Sequence, residues 1–430
     1  MDAKLYPSRC SGAVKAPPSK SAAHRAVLCA ALARGVSRIE NVEYSKDILA
    51  TLGAVQQLGA RVEQEEHALN ILGRDASEGF VTVTRPVFCN ESGSTLRFLI
   101  PVFSLTAQKI RFTGAGRLME RPQEVYRMLF LRQGLRFEQN AEGISVFGRL
   151  RPGQFKLPGD VSSQFISGLL FAVPLMETDS AIEVQPPFES RSYVDMTVDA
   201  MQKFGVKVTS RARKDGTVVY RVPGNQSYTA CDLSVEGDYS QAAFLAVLGC
   251  VAGGVTVTGL TPDTHQGDRV ILDILQRCGG KFYPGEEGIR FERSLLRAAE
   301  IDLADCPDLG PILFTLACFC SGVTTIRNAG RLRIKESDRI ASMQQELSKM
   351  GAHIEVNGDT VTIRQAALHA PEEPLSGHND HRVVMALAVA ALASGVPAVI
   401  RGAEAVSKSW PAFFEVLQGL GARVEMEETF

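Results

Sequence analysis

The sequence predicts an α/β fold of two similar halves, each made of three copies of one helix-and-strand unit. Three observations carry this. An amphipathic segment that ends in Gly and runs into a β-prone stretch occurs six times, as AVQQLGARVE, LFLRQGLRFE, AMQKFGVKVT, ILQRCGGKF, ELSKMGAHIE and EVLQGLGARVE. Its glycines, Gly59, Gly134, Gly205, Gly279, Gly351 and Gly421, lie 75, 71, 74, 72 and 70 residues apart, a sustained period. A nearly all-apolar helix that opens on a polar or charged cluster precedes each Gly. Counted from Ser21, Ser94, Ser163, Ser240, Asp308 and His381, the gaps are 38, 40, 42, 39, 43 and 40. Between the helices lie short β-branched runs such as VTVTRPV, VVYRV and GVTVTGL, bounded by Gly and Pro, so the strands are many and short.

Along the chain, MDAKLYPSRC lacks an apolar signal core and is too short of Arg and Ser for a transit peptide. It reads as the mature N-terminus of a cytosolic protein. The first three apolar helices are KSAAHRAVLCAALARG, STLRFLIPVFSL and SSQFISGLLFAVPLM. The polar stretch from Gly224 to Asp238 follows as the crossing between halves. SQAAFLAVLGCVAGG, DLGPILFTLACFCSG and HRVVMALAVAALASG complete the set. A helix apolar on all sides must be buried, so only its end faces solvent. Six such ends offer free N–H groups suited to phosphate or carboxylate. N-capping by Ser and Asp accounts for any one of them. Arg or Lys beside the cap in several copies is what capping leaves unexplained.

The stretch from Arg331 to Gly351 shows the same tension. Ile340, Met343, Leu347 and Met350 form a helical stripe, and Lys349 with Gly351 marks its end. Yet Arg331, Arg333, Lys335 and Arg339 crowd the beginning, where the dipole favours carboxylates. A solvated basic turn with Glu336 and Asp338 as counter-ions is one reading, and a bound anion is the other.

The 430 residues hold 46 basic and 48 acidic side chains, a net charge of -2, so nothing global attracts nucleic acid or an anionic membrane. Nine cysteines form no C-x-x-C pair, which favours reduced core thiols over disulfides or zinc. Seven histidines include no H-E-x-x-H, which argues against a metal site. Val383 to Ile400 has the length of a membrane span, but Ser394, Gly395 and Pro397 divide it into a buried helix and a strand.

Eight motifs, in order, then carry a family resemblance. They are PPSKSAAHRA from Pro17, ESGSTLRF from Glu91, MERP from Met119, VSSQF from Val161, PD at Pro307, RIKESDRI from Arg333, NDHR from Asn379 and SKSWP from Ser407. Over essentially its whole length the chain resembles the EPSP synthases, enolpyruvyl transferases of the shikimate pathway and the target of glyphosate. The resemblance implies two similar domains, each a pseudo-threefold array of three units with helices packed inside small sheets, an inside-out α/β barrel. It also implies a discontinuous domain, residues 1–15 with 232–430, around a domain of residues 16–231.

The implied reaction moves the carboxyvinyl group of phosphoenolpyruvate to the 5-hydroxyl of shikimate 3-phosphate and releases phosphate, without metal or organic cofactor. Holding a phosphate and a carboxylate close together needs several cations, many with fork geometry. By similarity these are Lys20, Arg121, Arg339, Arg382 and Lys408, with Gln164 and Gly93 beside them. Ser21, Arg25, Ser162, Ser163, Ser190, Tyr193 and Lys335 suit the phosphate and hydroxyls of the second substrate, and Asp308 also touches it. Asp308 accepts the hydroxyl proton, and Glu336 and Lys20 are the candidates for delivering and recovering the methyl proton. Helix capping is the alternative role for Asp308 and Glu336. Many members carry Asn where Glu91 stands and Asn or Glu in place of Arg331, so no contact is carried onto either.

The nearest rival is the transferase family acting on UDP-N-acetylglucosamine. That family has a loop cysteine before Ala-Arg-Pro and a Lys-Asn pair, whereas GAGRLMERP has no cysteine and Ser21 follows Lys20. An RNA-binding scaffold would want aromatic platforms among its cations, and the chain has 1 Trp. The expected protein is a cytoplasmic monomer without nucleic-acid or membrane partners. Because the five cations are split between the halves, the halves should close over the substrates.

Overall fold

The computed structural model describes residues 1–74 and 79–428. The chain divides into two compact units, Met1–Ser19 with Glu236–Phe430, and Lys20–Val235. The unit Lys20–Val235 contains helices α1 (Lys20–Leu32), α2 (Lys46–Gln57), α3 (Gly93–Phe103), α4 (Glu124–Arg132), α5 (Ser163–Ala172) and α6 (Arg191–Lys203). The other contains α7 (Tyr239–Ala252), α8 (Ile271–Arg277), α9 (Gly310–Phe319), α10 (Arg339–Lys349), α11 (His381–Ser394) and α12 (Phe413–Gly419).

Among the described residues, six four-stranded sheets repeat one pattern: a parallel pair, then two antiparallel neighbours. In the unit Lys20–Val235, Gln154–Pro158 runs parallel to Ser180–Gln185, which pairs antiparallel with Val218–Val222, itself antiparallel to Thr209–Ala212. In the other unit, Glu300–Asp302, Val323–Arg327, Thr360–Arg364 and His353–Asn357 follow the same order. Parallel neighbours need a crossover, and here it is the buried helix, α5 in one case and α9 in the other. The first residues complete sheets formed otherwise by the C-terminal part. Asp2–Tyr6 lies between Ala398–Arg401 and Arg423–Glu427, and Gly12–Lys15 runs parallel to Val255–Thr258.

Each repeat glycine adopts the positive φ that ends an amphipathic helix: Gly59 106°, Gly134 73°, Gly205 82°, Gly279 83°, Gly351 92° and Gly421 98°. That conformation explains the sequence period, because few other residues tolerate it. The all-apolar helices are buried on every side. α7 and α11 contain Phe244, Leu248, Val384 and Leu387 at 0% exposure, in a core shared with α9. α1, α3 and α5 lie in a separate core with Val27, Ile100 and Leu169. Val383 to Ile400 forms most of α11 and the start of the strand Ala398–Arg401. No helix among the described residues is long and apolar enough to cross a membrane.

The VTVTRPV run behaves differently from its composition. Only Val87 enters a strand, Val87–Phe88. Ahead of it, Gln108 takes the place of a ladder partner, accepting from the Val83 amide at 2.8 Å and donating to the Val81 carbonyl at 3.0 Å. Pro86 has no N–H to continue a ladder.

Candidate active site

In the unit Lys20–Val235, buried helix starts carry the sequence-selected residues. Ser92 caps α3 by accepting from the Thr95 amide at 3.1 Å, and Ser162 caps α5 by accepting from the Gln164 amide at 3.3 Å. Gly93 then sits where three long polar side chains converge. A methyl group on its Cα would lie 3.1 Å from Arg121 Nη1, 3.2 Å from Gln164 Oε1 and 3.8 Å from Arg97 Nη1. Gln164 accepts from Arg97 Nη1 at 2.8 Å and donates to Ser94 Oγ at 3.0 Å. Arg97 donates also to the Pro122 carbonyl at 3.1 Å, and its guanidinium lies over the Phe165 ring. Gly93, Arg121 and Gln164 are thus brought together, and Arg97 is the residue that fastens them.

Lys20 Nζ donates to Asp47 Oδ2 at 2.7 Å. Asp47 is buried in the first turn of α2, behind the Ser45 cap. Arg25 joins α1 to α6: Nη1 donates to the Ser21 carbonyl at 2.7 Å, Nη2 to the Tyr193 carbonyl at 2.7 Å, and Nε to Thr197 Oγ1 at 2.8 Å. Burial pushes its pKa down to about 10, which leaves it cationic at neutral pH. Ser163 is buried in the first turn of α5. Ser190 precedes α6 in the left-handed conformation, φ 53°, with its carbonyl accepting from the Tyr193 amide at 3.2 Å. A hydroxyl chain links α1 and α2 to the start of α3, from His24 Nδ1 to Thr51 Oγ1 at 2.8 Å, Thr51 to Thr95 at 2.7 Å, and Thr95 to Ser92 at 2.7 Å. Glu91 lies against Gly116, where an added methyl would stand 2.6 Å from its carboxyl carbon.

In the unit Met1–Ser19 with Glu236–Phe430, Asp308 is the centre. It lies in the 3₁₀ turn Pro307–Leu309 ahead of α9 and does not cap that helix, whose N-cap is Leu309 without a side-chain bond. Its Oδ1 accepts from Lys335 Nζ and Arg339 Nη1, each at 3.1 Å, and its Oδ2 from Arg382 Nη2 at 3.4 Å. Arg382 Nη1 also donates to the Asp308 carbonyl at 3.0 Å. Burial works to raise the Asp308 pKa, but Arg382, Lys335 and Arg339 together hold it well below the carboxylate range. Burial lowers the Lys335 pKa, with Asp308 opposing.

Arg339, 1% exposed, is the first residue of α10. It donates to Asp380 Oδ2 at 2.9 Å, Glu336 Oε2 at 2.7 Å and Asp308 Oδ1 at 3.1 Å. The cation expected to repel the helix start is therefore neutralised from inside, while Asp338 supplies the cap to the Ala341 amide at 3.1 Å. Arg331 and Arg333 lie outside α10, in the 3₁₀ turn Gly330–Ile334. Arg331 donates to the Ala304 carbonyl at 3.1 Å and Arg333 to the Gly358 carbonyl at 2.9 Å. Glu336 faces Arg339 and does not cap a helix. Asp380 caps α11 through the Arg382 amide at 2.9 Å and also accepts from Ser337 Oγ at 3.1 Å. Lys408 Nζ donates to the Asn379 carbonyl.

Sequence reasoning missed the supporting residues Asp47, Thr197 and Asp380, and it considered Arg97 only as a neighbour of Glu91. Asp380 was within reach, because it lies inside the NDHR motif and immediately before an apolar helix. Asp47 carries no motif, and only the fold brings it to Lys20.

Six repeated sheets with basic clusters at buried helix starts define a fold shared with solved enolpyruvyl transferases. An EPSP synthase from Acinetobacter baumannii superposes with a TM-score of 0.79 at 22% identity, covering 100% of both chains. The enolpyruvyl transferase NikO from Streptomyces tendae gives 0.79 at 20% identity over 99% of this chain and 98% of that one. In sequence, the profile of the family EPSP synthase (3-phosphoshikimate 1-carboxyvinyltransferase) matches residues 6–417. A 3-phosphoshikimate 1-carboxyvinyltransferase of Clostridium kluyveri is 42% identical over 429 residues, 98% of this chain and 97% of that protein. The chain belongs to the EPSP synthase family.

Proposed function

We propose that the chain transfers the carboxyvinyl group of phosphoenolpyruvate to the 5-hydroxyl of shikimate 3-phosphate, releasing inorganic phosphate, in aromatic amino acid biosynthesis. The observation that carries the reading, beside family membership, is Asp308 held ionised by Lys335, Arg339 and Arg382. The hydroxyl oxygen bonds to C2 of phosphoenolpyruvate while C3 gains a proton. The adduct then loses a methyl proton and phosphate together. Asp308 takes the hydroxyl proton, and Glu336 and Lys20 deliver and recover the methyl proton.

Asp308 starts as a weak base, because three cations stabilise its charge. An incoming anion competes for Arg382 and Arg339, loosens their hold and raises the basicity of Asp308. Binding thereby prepares the base. Arg339 reaches an anion only as Asp308 or Glu336 yields, since all three sides of its guanidinium are engaged. Lys20, Arg121, Gln164 and Lys408 complete the phosphoenolpyruvate set, and Gly93 carries no side chain to crowd Arg121 and Gln164. Ser21, Arg25, Ser162, Ser163, Ser190, Tyr193 and Lys335 serve shikimate 3-phosphate, Arg25 by holding Ser21 and Tyr193 in register.

The protein acts as a cytoplasmic monomer without nucleic-acid partners. A net charge of -2 speaks against nucleic-acid partners, and nine free cysteines fit a reducing compartment. The purified protein should release phosphate from phosphoenolpyruvate only when shikimate 3-phosphate is present, with one enol ether formed per phosphate. Release without acceptor would make it a phosphatase and refute the reading.

A further inference from the structure

One buried carboxylate near the cation cluster has no part in the reaction above. Glu346 lies on α10 with 0% exposure. Its Oε2 accepts from Lys349 Nζ at 2.7 Å and from the Ser376 amide at 2.9 Å, and its Oε1 from His378 Nε2 at 2.9 Å. Burial alone would raise its pKa. The bonds from His378, Lys349 and Ser376 hold it below the ordinary glutamate value instead, so it stays charged.

Two of these donors hold one short loop: Ser376 ends the strand Leu375–Ser376 that leads into it, and His378 lies within it, ahead of α11. Within it His378 and Asn379 both adopt the left-handed conformation, at φ 48° and 51°. Two successive L-residues rarely do so, and such strain persists only where surroundings over-determine it. The loop is fixed from several sides. Gly377 donates to the Arg401 carbonyl at 2.8 Å, and a methyl on it would meet Val384 Cγ2 at 2.5 Å. Glu346 fixes the other side. As a result the Asn379 carbonyl faces the Lys408 ammonium.

We infer that Glu346 and His378 are positioning residues for phosphoenolpyruvate capture, clamping the loop whose Asn379 carbonyl aims Lys408. The inference rests on the function proposed above. Glu346 touches no substrate and acts through the loop. A carboxylate is suited to this because one group can take both the Ser376 amide and the His378 ring, with Lys349 balancing its buried charge.

The test is a double-mutant cycle in steady-state kinetics, on the full chain, with Glu346→Ala, Lys408→Ala and the pair. Glu346→Ala should raise KM for phosphoenolpyruvate about tenfold, leaving kcat and KM for shikimate 3-phosphate within about threefold. The double variant should be no worse than Lys408→Ala, because both losses pass through one ammonium. Glu346→Gln, which keeps shape and an acceptor, should recover part of the loss. Additive losses, or an equal rise in both KM values, would overturn the inference. If Glu346→Ala does not fold, His378→Phe takes its place in the same cycle with the same two outcomes. A wild-type protein releasing no phosphate would take down the proposed function and this inference together, whereas normal wild-type turnover with an additive cycle removes the clamp alone.

Discussion

Arg339 Nε donates to Asp380 Oδ2 at 2.9 Å, with the two side chains 1% and 0% exposed. This pair ties the start of α10 to the start of α11, and through Asp308 Oδ1 it reaches the turn ahead of α9. Two successive repeats, the one holding α9 and α10 and the one opened by α11, therefore meet at a single guanidinium. Removing one partner of a buried pair leaves the other charge uncompensated, at a cost of about 3–5 kcal/mol. Asp380→Ala should approach the lower end, since Glu336 and Asp308 still face Arg339. Urea unfolding of the variant checks this, and a change within about 0.5 kcal/mol, ordinary for a surface substitution, would show that the pair is not holding the three helix starts.

The proton-transfer roles predict a split between rate and binding. Asp308→Ala and Glu336→Gln should lower kcat by ~10²–10⁴-fold while changing the dissociation constants far less. Pre-steady-state binding and turnover measured on the same preparations separate the two. Near-normal kcat in both variants would reduce Asp308 and Glu336 to charge partners of Arg339.

Gly93 has room for no more than a slight adjustment. Gly93→Ala places a methyl 3.1 Å from Arg121 Nη1 and 3.2 Å from Gln164 Oε1, both ends of flexible side chains. The protein should fold, with these groups displaced by a few tenths of an ångström. The expected outcome is a KM for phosphoenolpyruvate raised roughly tenfold, about 1.4 kcal/mol, with KM for shikimate 3-phosphate unchanged. A shift in the latter alone would place Gly93 beside the other substrate.

Acid should weaken the unit Met1–Ser19 with Glu236–Phe430 through specific carboxylates. Asp308, Asp380 and Glu346 are all held below their ordinary values, in each case against burial, by Arg382, Arg339 and His378 as the leading opponents. A depressed carboxylate contributes stability above its unfolded pKa, about 3.9 for Asp and 4.3 for Glu, and loses it as pH falls through the folded value. Urea midpoints should hold steady from pH 7 to about 5 and fall below about 4. Glu346→Gln should flatten that fall, and an equally steep decline in the variant would remove Glu346 from the explanation.

Much of this architecture was legible because it repeats. Gly59 to Gly421 recur with one spacing since each ends an amphipathic helix at positive φ, a demand written in a single residue type. The buried helices were legible from apolar residues on every face. Arg121, Gln164 and Gly93 were legible as motif members, and the fold brings them into one group. The partners that orient them were not. Asp47 and Glu346 are common charged residues on helices, and Arg97, though inside ESGSTLRF, shows its bond to Gln164 only in the fold; these roles depend on which helix start or loop lies opposite. That is set by tertiary packing, which brings Asp47 to Lys20 across 27 residues, Glu346 to Ser376 across 30 and Arg97 to Gln164 across 67. The VTVTRPV run misled because β-branched composition signals a strand, whereas Pro86 and the Gln108 side chain replace the ladder there.

The most direct test of the account is acceptor choice, since UDP-N-acetylglucosamine is the acceptor of the nearest rival reading. Phosphate release from phosphoenolpyruvate should be followed with shikimate 3-phosphate and with UDP-N-acetylglucosamine, side by side at matched concentrations. The Ser21, Ser162 and Ser163 helix starts, and a Gly114 to Pro122 loop without cysteine, predict turnover with shikimate 3-phosphate alone. Turnover with UDP-N-acetylglucosamine and none with shikimate 3-phosphate would contradict it.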